Sequence, residues 1–394
     1  MAARGGAPLD FKFSDEQRFF KTHVAQALHR LVLPHAGEID KEDVFPREIF
    51  EELAHLGYYG VRYPAELGGM GADCITFTIF AEELARVSMG LAATVTMQCL
   101  MGTDFIFRFG TPTQKERVLL PAMKGEKIGT IAFTEPDCGS DLGAIKTRAV
   151  KTDDGYVLKG RKLWITNGQV ADFVTVAASV DPGKRLNGLA FFLVEKGNPG
   201  FSVGQKIDKV SARGAQTAEL IFDECHIPRD ALLGEEGKGA KYLNDILAEI
   251  RTMIAGLGLG LAKSAFTAGL KYAKEREAFG HAIGEFQLIQ EKLAEMELRI
   301  RASEFLTYYA AWLKDQGMPM GKEAAAAKLY STETACFVAD QVTRIHGAYG
   351  LAEEYPAQRF FRDGRFLLFG GGTSEILKTV IAKETLRNGD PFGY

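Results

Sequence analysis

The spacing of apolar residues changes character twice along this chain, and that double change confines it to a three-part fold. From Ser14, a good N-cap followed by Asp15 and Glu16, to about Lys127 the period is helical. Phe45-Pro46-Arg47-Glu48-Ile49-Phe50-Glu51-Glu52-Leu53 opens a helix that stops at Gly57, and Ala81-Glu82-Glu83-Leu84 belongs to another. From Thr130 to about Gly234 the period shortens to that of strands: Tyr156-Val157-Leu158 after an Asp154-Gly155 turn, Phe173 to Val176, Leu189 to Val194, and Glu219 to Phe222. Beyond Gly239 helix returns, with Ile289, Leu293, Met296 and Ile300 at core-facing spacing and Ala324 to Ala327 favouring helix outright. The expected class is α+β: an N-terminal helical domain over 1–129, a middle β domain over 130–239 and a C-terminal helical domain over 240–394.

Several function classes fall away on charge and spacing. Lys plus Arg number 47 against 51 for Asp plus Glu, a net charge of −4, which gives no footprint for nucleic acid or an anionic membrane. Met1 to Leu9 holds one arginine and no apolar core of signal-peptide length, and charge interrupts each later apolar run, so a cytoplasmic protein is expected. Five dispersed cysteines without a Cys-x-x-Cys pair read as reduced thiols, and none of the seven histidines forms an i, i+4 pair with a flanking base, so no metal is expected. Gly256-x-Gly258-x-Gly260 resembles half a dinucleotide fingerprint. It follows helix rather than strand and lacks an acidic partner for a ribose, so helix-helix packing is the better reading.

Three runs carry the chemistry. They are Thr134-Glu135-Pro136-Asp137-Cys138-Gly139-Ser140-Asp141 and Lys162-Leu163-Trp164-Ile165-Thr166-Asn167-Gly168, with Phe369-Gly370-Gly371-Gly372-Thr373-Ser374-Glu375-Ile376 near the C-terminus. In register over nearly the whole chain, they resemble the flavin-cradling and catalytic loops of the acyl-CoA dehydrogenase family. The resemblance implies that family's fold, with a β-barrel-like middle domain and a C-terminal four-helix bundle, and FAD as cofactor. It implies that Thr134 and adjacent backbone hold the pyrimidine edge of the flavin, that Trp164 lies along the ring, that the Thr166 hydroxyl points at N5 and that Phe133 and Ile165 also bind the cofactor. Ser140 falls where the family meets cofactor and CoA arm. Arg276, Phe279 and Gln287 resemble the segment that reaches the adenine and pyrophosphate of a flavin held mainly by a neighbouring subunit. Arg344, Ile345, Gly347 and Ala348 resemble the pyrophosphate turn, and Thr373 and Glu375 the flanks of the cofactor loop. A homotetramer is therefore expected, with an acyl-CoA thioester as substrate and an electron-transferring flavoprotein as acceptor.

On the substrate side the resemblance assigns Ser140, Arg251, Ala93, Thr94, Met97 and Gly372. The wall from Ala92 to Gln98 is uncharged, and Gly90, Ala92 and Ala93 suggest room for a branched or cyclic acyl tail. The family's chemistry removes the α-proton with a carboxylate while the β-hydride leaves to flavin. Here the usual position of that glutamate is Gly371, which offers only its backbone N–H. Two acids stand as relocated bases. Glu249 lies two residues before Arg251, about 200° around an ideal helix, so a π-bulge or local shift is needed to bring it into place. Asp104 is the N-terminal alternative. If proton abstraction has merely moved, Gly371→Glu should be tolerated. The competing reading is base-independent chemistry on the same fold, as in a desulfinase or flavin oxygenase.

Overall fold

In the computed structural model, residues 12–389 are described, and the Met1–Leu9 segment lies outside them. The first domain opens with α1 (Asp15–Leu31), whose N-terminus is closed by a reciprocal pair: Ser14 Oγ accepts from Gln17 N at 3.1 Å and Gln17 Oε1 accepts from Ser14 N at 3.0 Å. After α2 (Arg47–His55), which ends just before Gly57, comes α3 (Cys74–Val87). Asp73 caps α3 and also receives the Gln17 side-chain amide, joining the starts of the two helices. Helix α4 (Met89–Thr96) is wholly buried and passes into a π-helical turn, Met97–Met101, before α5 (Asp104–Phe109).

The middle domain is one sheet built from β1 (Gly129–Ala132), β2 (Arg148–Lys151), β3 (Gly155–Ile165), β4 (Phe173–Ser179), β5 (Leu189–Glu195), β6 (Phe201–Lys206), β7 (Ala218–Pro228) and β8 (Leu232–Leu233). Its order is β6-β7-β3-β2-β4-β5-β8, with β1 parallel to β4, and no pairing joins β6 to β8. The run Phe173–Ala178, apolar apart from Thr175, is explained by burial of β4 on both faces, the condition under which strands lose their polar alternation.

The last domain is helical: α6 (Gly239–Glu275), α7 (Gln287–Asp315), α8 (Gly321–His346), α9 (Ala357–Leu367) and α10 (Ser374–Asn388). Helix α6 packs on α8 and α7 within its own domain and on α3 of the first. Met89–Phe109 and Gly239–Glu275 are long and apolar enough to cross a membrane, but 89% and 67% of those windows are buried inside the fold, which accounts for their hydropathy. The three spaced glycines of α6 are where neighbouring backbones come closest. A Cβ at Gly256 would lie 3.0 Å from Thr78 O, at Gly258 2.7 Å from Ser331 Oγ, and at Gly260 2.1 Å from Glu82 O. Gly256 and Gly260 thus face α3 while Gly258 faces α8, so the triplet packs α6 on two sides. Gly260→Val is expected to overpack that contact and cost about 1–3 kcal/mol or more, read as a lowered Tm in thermal unfolding, while a valine at exposed Gly321, where no atom lies within 4 Å of the Cβ position, should cost far less.

Candidate active site

Two adjacent turns form the first part of the site. Leu163 N donates to Thr134 O at 2.9 Å, so the two sequence runs are joined by a backbone bond. Beneath them the fully buried Lys162 ammonium donates to Phe133 O (3.0 Å) and Glu135 Oε1 (2.9 Å). Burial pushes this lysine down to about 8, opposed by the Glu135 carboxylate. Glu135 in turn accepts from the backbone of Lys146 and Thr147, which locks the turn from below.

Above that lock Trp164 is 57% exposed at φ +63°, in a β-bulge between Lys162 and Ile165. A tryptophan held open in the left-handed region is an aromatic surface without a partner in this chain. Thr166 is half-buried and its carbonyl accepts from Thr130 Oγ1. Next to it Asn167 Nδ2 donates to Thr94 O at 3.2 Å, which brings the flavin-type turn against α4, where Ala93, Thr94 and Met97 are buried. Thr94 Oγ1 and Asn167 Oδ1 are buried without a hydrogen-bond partner among the described residues. An exposed aromatic wall beside buried polar atoms with open valence fits a ring with a polar edge. Ser140 is exposed on the neighbouring loop. Gly90 does not provide room for a ring: a Cβ there would lie 1.8 Å from Arg213 O, so its smallness is consumed by a backbone contact.

The second part is the loop Leu368–Thr373. Arg251 Nε donates to Gly371 O at 3.0 Å, and Lys328 Nζ donates to Leu368 O (3.1 Å) and Gly372 O (2.8 Å). Thr373 then caps α10, and Ser374 Oγ donates to Glu333 at 2.5 Å, while Glu375 is exposed in the first turn. Gly371 sits at φ +68° and Gly372 at +110°. A Cβ at Gly371 would meet Ile254 Cδ1 at 2.9 Å, so a glutamate is not simply restored there; backbone conformation and Ile254 both oppose it. The Gly371 N–H has no protein acceptor among the described residues and is free to donate to a ligand carbonyl.

The relocated-base expectation fails on geometry. Helix α6 runs without a π-bulge, so Glu249 and Arg251 keep opposite faces; the π turns of this chain are at Met97–Met101 and Lys115–Leu119 instead. Glu249 is buried and binds Arg62 (2.5 Å), Arg108 (2.5 Å) and Lys314 (2.8 Å), while Asp104 binds Arg62 (2.6 Å) and Arg108 (2.7 Å). Burial alone would raise the Glu249 carboxyl, but the three cations outweigh it and hold it down to about 2. Both acids belong to an interdomain ion cluster. A carboxylate so held is a poor proton acceptor.

The third part is a short hairpin, Glu277–Ala278 with His281–Ala282, which follows Arg276 and carries Phe279 at 94% exposure. The Arg276 guanidinium lies 5.8 Å from the Tyr349 ring, which sets the hairpin against the Arg344–Tyr349 turn. Arg276, Gln287 and Ala348 are exposed, Ile345 is buried, Gly347 turns at φ +60°, and Arg344 pairs with Asp340 at 2.8 Å. No hydrogen bond or ion pair among the described residues joins this platform to the Trp164 turns.

Comparison with known proteins identifies the family. The N-terminal, middle and C-terminal domain models of acyl-CoA dehydrogenase match residues 14–126, 130–225 and 237–386. The chain belongs to the acyl-CoA dehydrogenase family. It is similar to benzylmalonyl-CoA dehydrogenase of Aromatoleum aromaticum, with 46% identity covering 95% of this chain and 99% of the relative. Its fold matches the structure of butyryl-CoA dehydrogenase from Megasphaera elsdenii at a TM-score of 0.93, with 36% identity and coverage of 96% and 100%. A structure described as the FAD complex of PigA matches at a TM-score of 0.93, with 27% identity and coverage of 97% and 100%. The enzyme is an oxidoreductase acting on CH–CH groups of acyl-CoA thioesters, and FAD is its cofactor.

Because Glu249 lies well below its ordinary value when folded, its contribution to stability is present above about pH 4.5 and is lost as the pH falls towards about 2. Glu249→Gln leaves three cations facing a neutral amide and should cost about 3–5 kcal/mol. The loss of stability on acidification should flatten over the same window. In flavin-loaded, folded protein the rate of anaerobic flavin reduction should change by less than the roughly 10²-fold minimum of a lost general base. Stopped-flow bleaching alongside acid titration of the Tm measures both.

Proposed function

We propose that this dehydrogenase oxidises acyl-CoA thioesters that carry a carboxylate on Cα, and that loss of CO2 replaces removal of the α-proton. The observation that carries this reading is the glycine at position 371, which brings no carboxylate of its own, beside the cations Arg251 and Lys328. Arg251 and Lys328 hold the loop through its carbonyls, and the acids named as alternatives are bound elsewhere. The name of the benzylmalonyl-CoA relative supports it, because a malonyl thioester bears its second carboxylate on Cα. In such a substrate the bond from Cα to the carboxylate breaks, CO2 leaves, and the electron pair remains on Cα as the thioester enolate. No protein base takes part.

The chain's residues then have defined tasks. The Gly371 N–H polarises the thioester carbonyl and stabilises the enolate oxygen. Ile250 and Ile254 line the emptied side of the loop, and an apolar wall favours a step in which carboxylate becomes neutral CO2. Phe133, Thr134, Ile165 and Thr166 would hold the ring edge of the cofactor, with Trp164 along its face. FAD bound there would supply the hydride acceptor for Cβ, so that the electron pair left on Cα forms the Cα–Cβ double bond. Beyond its α-carboxylate the acyl tail is uncharged, since Ala93, Thr94 and Met97 offer no counter-charge, and the benzyl group in the relative's name supports an aryl tail. An electron-transferring flavoprotein reoxidises the enzyme. The desulfinase and oxygenase readings lose their appeal, since the relative's name is that of a CoA-thioester dehydrogenase.

Benzylmalonyl-CoA should bleach the flavin anaerobically and release one CO2 per flavin reduced, whereas 3-phenylpropionyl-CoA, which lacks only the α-carboxylate, should bind without bleaching it. Equal bleaching by both, with no CO2, would mean that a base operates after all.

We also infer that the Arg276 hairpin and the Arg344–Tyr349 turn serve the flavin of a neighbouring subunit in a homotetramer, because they stand apart from the Trp164 turns and expose Phe279. Arg276→Ala should weaken FAD retention by roughly 10- to 100-fold, the scale of one charge-assisted contact, and shift the protein to smaller species. Flavin-to-protein ratio and size-exclusion elution should change together.

A further inference from the structure

The half-buried Arg251 lacks a counter-ion. Its Nε donates to Gly371 O, but among the described residues neither Nη group has an acceptor and no carboxylate pairs with it. Its charge is destabilised by burial alone. Every comparable cation nearby on the other face of α6 is neutralised: Arg62, Arg108 and Lys314 all meet Glu249. An uncompensated guanidinium at a catalytic loop is costly to keep unless a ligand brings the anion.

The surroundings state what that anion must look like. The space a side chain at 371 would enter is bordered by Ile254 Cδ1 at 2.9 Å, Ile250 Cγ2 at 3.6 Å and Arg251 Cγ at 3.7 Å from the Cβ position. It is therefore apolar on one side and edged by the stem of Arg251 on the other. The free Nη edge offers parallel N–H donors, the geometry that suits a carboxylate. Lys328 cannot take this task, because its buried ammonium is spent on Leu368 O and Gly372 O; it positions the loop.

We propose that Arg251 is the specificity-determining residue that binds the α-carboxylate of the substrate, at its Nη edge beside Gly371. This rests on the decarboxylating reading and deepens it. The substrate carboxylate occupies the Nη edge and is held with its bond to Cα directed along the apolar Ile250–Ile254 wall. Once CO2 has formed, it carries no charge for the guanidinium to retain.

The test uses the full FAD-loaded protein held reduced with dithionite, so that no turnover occurs, with Kd for benzylmalonyl-CoA and 3-phenylpropionyl-CoA measured by calorimetry. In Arg251→Met the Kd for benzylmalonyl-CoA should rise roughly 10- to 100-fold, while that for 3-phenylpropionyl-CoA changes less than about threefold. Arg251→Lys, which keeps a cation without the fork, should give an intermediate loss for the first ligand only, and flavin content and Tm report whether each variant is folded. Equal weakening of both thioesters would overturn the proposal and assign Arg251 to the CoA moiety or to loop support alone. Unchanged binding of both would overturn it as well. Carbon dioxide release by the oxidised wild type is scored separately, so a failure of the decarboxylating reading is told apart from a failure of the Arg251 assignment.

Discussion

The uninterrupted pitch of one helix governs the chemistry open to this protein. Gly239–Glu275 keeps α-helical hydrogen bonding throughout, and residues two apart on such a helix face nearly opposite ways. Glu249 is therefore directed into the first domain, and Arg251 to the C-terminal loop. The same helix is pinned against its neighbours by backbone contacts at Gly256, Gly258 and Gly260, which leave it little room to rotate or slide. Exchanging the two environments would need about half a turn of α6 about its axis, and the glycine contacts on two sides oppose any such rotation.

The interdomain ion cluster follows from that orientation. Arg62, Asp104, Arg108, Glu249 and Lys314 come from four helical or loop segments and close into a network with no carboxylate left over. Buried pairs contribute little net stability when compared with apolar packing, yet removing one member exposes the others to an uncompensated field. A network of this kind therefore acts as a registration device between the domains. A second cluster does the same further along α6, where Lys263 and Lys21 both meet buried Glu82, which also accepts from Tyr308. Two polar clusters at two heights fix the helix in an otherwise apolar contact.

How much of this was legible in the sequence depends on how far apart the cooperating residues lie. The helix–sheet–helix order was legible because periodicity is local, and the flavin-type turns because their residues are nearly contiguous. The glycine triplet was rightly read as packing because no strand preceded it. Glu249 was open to misreading: its partners Arg62 and Arg108 are 187 and 141 residues away, so nothing near it in the chain signals its burial. Lys328 was missed for a related reason. A lysine after Ala324–Ala327 reads as the solvated face of a good helix, and only the fold shows it buried beneath the carbonyls of Leu368 and Gly372. Gly90 was misread towards space, because a small residue in sequence does not say whether the volume it saves is open or filled by Arg213 O.

Gly371 joins these lines of argument. In a relative with a glutamate at this position, the loop would carry its own negative charge close to the arginine that supports it. Here Gly371 carries no side chain, its φ is positive, and Ile254 lies 2.9 Å from where a Cβ would be. Local conformation and packing therefore both suit a glycine at this position. What remains is a half-buried cation, an apolar wall and a free backbone N–H. A proton-abstracting enzyme lacks its anion in such a site. An enzyme whose substrate arrives with a carboxylate on the reacting carbon does not, because one group supplies both the counter-charge that Arg251 lacks and the electron pair that a base would otherwise have released.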